Sequence, residues 1–152
     1  MIPSIPRPAL MIGLAGVLPF IYAAIAATEP RLELDFAPGY FVAENYGLVI
    51  FAYMSGVFWG FAAPKKAATK DGWRWMGLAV APAVIGFLAL VALPPGETLT
   101  ILLWAFPLLL PLDWMFQREK LAPKWWLTLR ILLTVLVTGC LWLAASGAGE
   151  AL

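Results

Sequence analysis

Five times in this chain an apolar stretch runs for about the 20 residues that a helix needs to cross a bilayer, with only short breaks between. The stretches run from about Pro8 to Ala27, Tyr46 to Ala63, Trp75 to Leu93, Thr98 to Phe116 and Trp125 to Ala145. A backbone in hydrocarbon must satisfy its own polar groups, and the alternation of a membrane barrel strand is absent. The expectation is an all-α membrane protein, one integral domain over residues 1–152 built as a bundle of five transmembrane helices. Hydrophobic residues make up 62% of the chain, against about 45–50% in soluble domains. No stretch between the spans is long enough for a soluble domain.

Charge then gives the orientation. Lys65, Lys66, Lys70 and Arg74 fall between spans two and three. Arg118, Lys120 and Lys124 fall between spans four and five, and Arg7 precedes the first span. The opposite side has Arg31 with Glu29, Glu33, Asp35, Glu44, Glu97 and Glu150. By the positive-inside rule the N-terminus is cytoplasmic and the C-terminus faces outward. Trp59, Trp73, Trp75, Trp114, Trp125 and Trp126 cluster at the same ends of the spans, as an interfacial belt does. Arg7, the apolar stretch and Ala24-Ile25-Ala26 imitate a secretory signal. That stretch is too long for one and contains Pro19, so it is read as a membrane span. Between Thr28 and Glu44, Leu32, Leu34 and Phe36 alternate with Arg31, Glu33 and Asp35, which suggests a short extended connector at the interface.

Composition excludes much chemistry. The net charge of +1 gives no electrostatic case for a nucleic-acid partner. The chain has no His and one Cys, Cys140, so His-ligated metals, Cys₄ clusters and a His general base are not available from it alone. No cofactor, metal site or catalytic residue is expected, and Cys140 reads as a small buried hydrophobe.

Asp113 and Arg130 are the ionisable residues placed inside spans rather than at their edges. They flank one short loop, so the two helices are antiparallel neighbours and an ion pair is geometrically natural. Pairing offsets part of the cost of a charge in the bilayer, about 2.5–3.5 kcal/mol at the midplane. The pair can bind a ligand, or simply pin the fourth span to the fifth. Arg130, Thr134 and Thr138 follow at a spacing of four, a polar stripe that points at other helices; packing, with each Thr bonded to its own backbone, is favoured over the alternative that the stripe lines a cavity. Ala52, Gly56 and Gly60 share one face of the second span, a small-xxx-small spacing that lets another helix approach closely. Pro19, Pro82, Pro107 and Pro111 lie within spans and free backbone carbonyls there.

Several segments read together. Gly13-Leu14-Ala15-Gly16-Val17-Leu18-Pro19-Phe20, Tyr46-Gly47, Ser55-Gly56-Val57-Phe58-Trp59-Gly60, Asp113, and Pro123-Lys124-Trp125-Trp126-Leu127-Thr128-Leu129-Arg130 followed by Thr134 cover nearly the whole chain. This set resembles the family designated domain of unknown function 3429, transmembrane protein 69-like small inner-membrane proteins. The resemblance implies a bacterial or mitochondrial inner membrane and brings no established activity. Family members often place a basic or His side chain where this chain has Phe58.

The expected function is a non-catalytic accessory or assembly subunit that docks on a larger membrane complex, respiratory or photosynthetic. Its partners are membrane lipids and other integral membrane subunits. The alternative is a small transporter, or a lipid or quinone carrier, that uses the Asp113–Arg130 region. An intramembrane enzyme ranks third, since no acid–base or nucleophilic set can be assembled.

Overall fold

The computed structural model describes residues 4–94 and 97–148; Glu150 lies outside them. Among the described residues, seven α-helices make five spans. They are α1 (Arg7–Ala15), α2 (Leu18–Thr28), α3 (Gly39–Lys66), α4 (Gly72–Ala92), α5 (Glu97–Leu108), α6 (Leu110–Arg118) and α7 (Trp126–Ala148). The first span is α1 with α2, and the fourth is α5 with α6.

Both interruptions trace to proline. Pro19 lacks an N–H, and next to it Phe20 donates to Val17 three residues back instead of four. That leaves the Gly16 carbonyl open, and Tyr46 Oη donates to it at 3.1 Å. In the fourth span Pro111 sits in the first turn of α6, where a missing donor is tolerated. Pro82 is buried in the middle of α4 without ending it. Ser55 on α3 accepts the Ala83 N–H at 2.7 Å and donates to the Val80 carbonyl at 3.4 Å, so a neighbouring helix repairs the disturbed ladder.

The loop after α2 is less extended than its alternating sequence suggests. Pro30–Leu32 forms a 3₁₀ turn, Leu34 and Ala37 form an isolated antiparallel bridge, and α3 begins at Gly39 rather than near Tyr46. The cause is local hydrogen bonding. Tyr22 Oη donates to the Ala37 carbonyl at 2.7 Å and accepts the Leu34 N–H at 3.0 Å. Glu33 accepts the Gly39 N–H at 2.7 Å, putting a carboxylate where the helix dipole favours it. Helix α3 therefore continues through the polar Glu44 and Asn45, where the apolar pattern stops.

With no hydrophobic driving force between helices in lipid, association rests on close packing and interhelical bonds. Helices α2, α3, α5 and α7 form the centre, and α4 packs mainly on α3. Gly47 admits Leu102, whose Cδ1 would lie 2.7 Å from an added Cβ; Gly39 likewise admits Ala26 at 2.8 Å. Fully buried Phe20, Phe58, Phe106 and Phe116 run through the core. Phe106 meets Phe20 and Phe51 edge-on, each with centroids 6.0 Å apart. Phe58 and Trp75 both pack on Phe116, at 4.8 and 5.2 Å.

The two basic loops meet at one end of the bundle. Lys65 Nζ donates to the Lys120 carbonyl, and Lys66 lies 3.6 Å from Glu119. Helix α6 ends there in a left-handed cap. Lys120 has φ 56°, with Lys120 N–H bonded to the Gln117 carbonyl at 3.0 Å and Leu121 N–H to that of Phe116 at 2.9 Å.

Candidate functional site

Asp113 and Gln117 lie one turn apart on α6 and face α7, which starts after Pro123. Arg130 lies one turn into α7, so the pair is roughly 6–8 Å below the helix ends. Arg130 Nε donates to Asp113 Oδ2 at 2.9 Å. Trp126, one turn earlier on the same face, donates its indole N–H to Asp113 Oδ1 at 2.6 Å. Gln117 Oε1 accepts the Leu127 N–H at 3.1 Å, satisfying one of the free donors at the start of α7. Asp113 is completely buried and Arg130 nearly so. The carboxylate thus has a charge-assisted bond on each oxygen, and α6 is stitched to α7 over three successive contacts.

The guanidinium is used from its side. Asp113 engages Nε, while Nη2 is buried and has no partner. Thr134 Oγ1 and Thr138 Oγ1 are buried and unpartnered too. Neither Thr makes the bond to the preceding turn expected from the sequence, although Thr28 does, to the Ala24 carbonyl at 3.1 Å. Thr134 instead lines a cavity, as Arg130 does.

The other marked residues separate into two groups. Trp75 and Trp126 turn inward, Trp75 against Phe116 and Trp126 against Asp113 and Phe61. Trp59, Trp73 and Trp114 are exposed, and Trp125 is half-buried beside Trp126. Trp75 and Trp114 carry basic groups over their faces, with Lys66 and Arg74 at 5.4 and 5.7 Å from Trp75 and Arg118 at 5.2 Å from Trp114. Ala52 is half-buried, while Gly56 and Gly60 are exposed on the outer side of α3. A Cβ built on either glycine would meet nothing within 4 Å. That small-residue face is therefore not used inside the bundle. Phe58, on the opposite side, is fully buried against Phe116.

The sequence reading missed Trp126 as a partner of Asp113. Its spacing of four from Arg130 was the available sign, since it puts indole and guanidinium on one face. Tyr22, Tyr46 and Ser55 were missed because their partners are backbone groups freed by a distant break or turn.

A family model described as protein of unknown function (DUF3429) matches residues 5–146. Transmembrane protein 69 of Xenopus tropicalis is 32% identical over 133 residues, 86% of this chain and 50% of that protein. Transmembrane protein 69 of Mus musculus is 29% identical over 91 residues, 57% of this chain and 34% of that protein. The chain spans about half the length, or less, of these relatives. No solved structure matches it. With the match extending from before α1 to near the end of α7, this five-span membrane protein belongs to the DUF3429 family.

Proposed function

We propose that the protein is a non-catalytic multi-pass subunit of a bacterial inner membrane that docks on, or helps assemble, a larger respiratory or photosynthetic complex. Its N-terminus is cytoplasmic and its C-terminus periplasmic. The observation that carries this reading is the outer face of α3. Gly56 and Gly60 form a shallow, side-chain-free strip with no neighbour in the bundle, bordered by the exposed Trp59 and Tyr53. Lipid does not require such a strip, whereas a second transmembrane helix packs most closely where small residues recur every four positions. A Trp and a Tyr at its border suit the anchor residues of an interface.

Two features support the non-catalytic part. Both Asp113 oxygens accept hydrogen bonds from donors on α7, which suits a structural clasp better than a proton carrier. The chain also contains no His. The convergence of the two basic loops at one end supports the orientation by the positive-inside rule. The docking reading is tested by purifying wild type and Gly56→Leu from native membranes in nanodiscs. The expected result is a stoichiometric membrane subunit with wild type that the variant loses while remaining folded. Wild type eluting alone would overturn it.

A further inference from the structure

A cavity of about 580 Å³ opens among α1, α2, α3 and α7, within the 300–1,000 Å³ typical of small-molecule sites. Its walls are mostly apolar and rich in rings, including Phe20, Tyr46, Phe61 and Phe106, with Trp125 and Trp126 at the basic end. Helix α1 rests against α7, and Ile12 on α1 and Tyr53 on α3 are 74% and 65% exposed. The cavity therefore opens sideways, toward lipid. Among the polar side chains on its wall, Arg130 and Thr134 are each at least nine-tenths buried, and each has an unpartnered atom, Nη2 and Oγ1. An unmade bond of this kind costs about 1–3 kcal/mol in a folded protein, more for a charged group. Both atoms can donate, and the residues that carry them follow one helical turn apart on α7, about 5–6 Å between Cβ atoms.

Charge decides what kind of acceptor. Asp113, behind Arg130, already neutralises the guanidinium at 2.9 Å. An anionic head would leave an uncompensated negative charge at low dielectric, while an uncharged carbonyl would not. We propose that this cavity binds a neutral, lipid-soluble ring ketone of the quinone class. Its carbonyl is held by Arg130 Nη2 and Thr134 Oγ1, its ring lies among the aromatic walls, and its tail leaves between Ile12 and Tyr53. This site opens beside the outer face of α3, with Tyr53 at the border of both, and does not rest on the docking reading.

The test uses the full chain in phosphatidylcholine nanodiscs and a decyl-tailed benzoquinone, read by quenching of tryptophan emission. Thr134→Val keeps shape and leaves the Asp113–Arg130 pair intact. Gly56→Leu is the control on the outer face. The expected result is saturable quenching whose midpoint moves roughly five- to tenfold higher in Thr134→Val and stays put in Gly56→Leu, with oleate failing to compete. Equal midpoints for wild type and Thr134→Val, no saturable phase in wild type, or displacement by oleate at lower concentration than the quinone would each overturn the proposal.

Discussion

Asp113 accepts its two bonds from successive turns of α7, Trp126 and then Arg130, and this makes it the residue on which the α6–α7 contact depends. Removing one partner of a buried pair typically costs about 3–5 kcal/mol because the other charge stays buried and uncompensated. Asp113→Leu is thus expected to lose about 3 kcal/mol of stability, and the double variant Asp113→Leu with Arg130→Met to recover most of it. Steric-trap unfolding in bicelles measures both; additive losses in the double variant would mean that the two side chains are not coupled. Trp126→Phe keeps an aromatic ring beside Phe61 but removes the bond to the carboxylate and part of the ring, so a smaller loss of about 1.5 kcal/mol is expected by the same method. Asp113 and Arg130 were legible as a pair because charged residues inside two apolar runs joined by one short loop have few places to go. The free Nη2 was not legible, because the choice between Nε and the terminal nitrogens depends on where the α7 backbone stands relative to α6.

At the scale of the element, the helix breaks follow proline, but proline alone does not say which break will be repaired. Pro82 sits within a continuous α4 because Ser55 supplies a donor and an acceptor across the interface. Ser55→Ala is expected to cost about 1 kcal/mol and to speed hydrogen exchange at Ala83; unchanged exchange there would show that α4 holds itself together. Lys120, with φ 56°, occupies a position that glycine takes without strain. Lys120→Gly relieves about 1–2 kcal/mol of left-handed strain and gives back about 0.4–1 through the looser unfolded chain. A gain of about 0.5 kcal/mol follows, while a clear loss on thermal unfolding would mean that the Lys120 side chain holds the turn in another way. The spans were readable from apolar runs, yet their ends were not. Helix α3 extends to Gly39 through charged and amide side chains because Glu33 and Tyr22 fix the loop before it. Tertiary bonds of this kind leave no periodic mark in the sequence.

For the whole molecule, the five spans fold so that both basic loops share one end and the small-residue strip of α3 faces outward. The recurrence of Ala52, Gly56 and Gly60 suggested close packing; only the placement of Phe51, Met54, Ser55 and Phe58 in the core shows that the bundle leaves this face unused. Topology is checked by Lys70→Cys and Ala37→Cys in a Cys140→Ser background. The impermeant maleimide is expected to label position 37 in intact spheroplasts and position 70 only after lysis, and the reverse pattern would invert the orientation. The docking reading is tested most directly by photocrosslinking in native membranes, with a benzophenone amino acid placed at Gly60 on α3 or at Leu88 on α4. Gly60 is expected to give one discrete adduct with a membrane protein, Leu88 none; lipid adducts alone from both positions would contradict a docking role for α3.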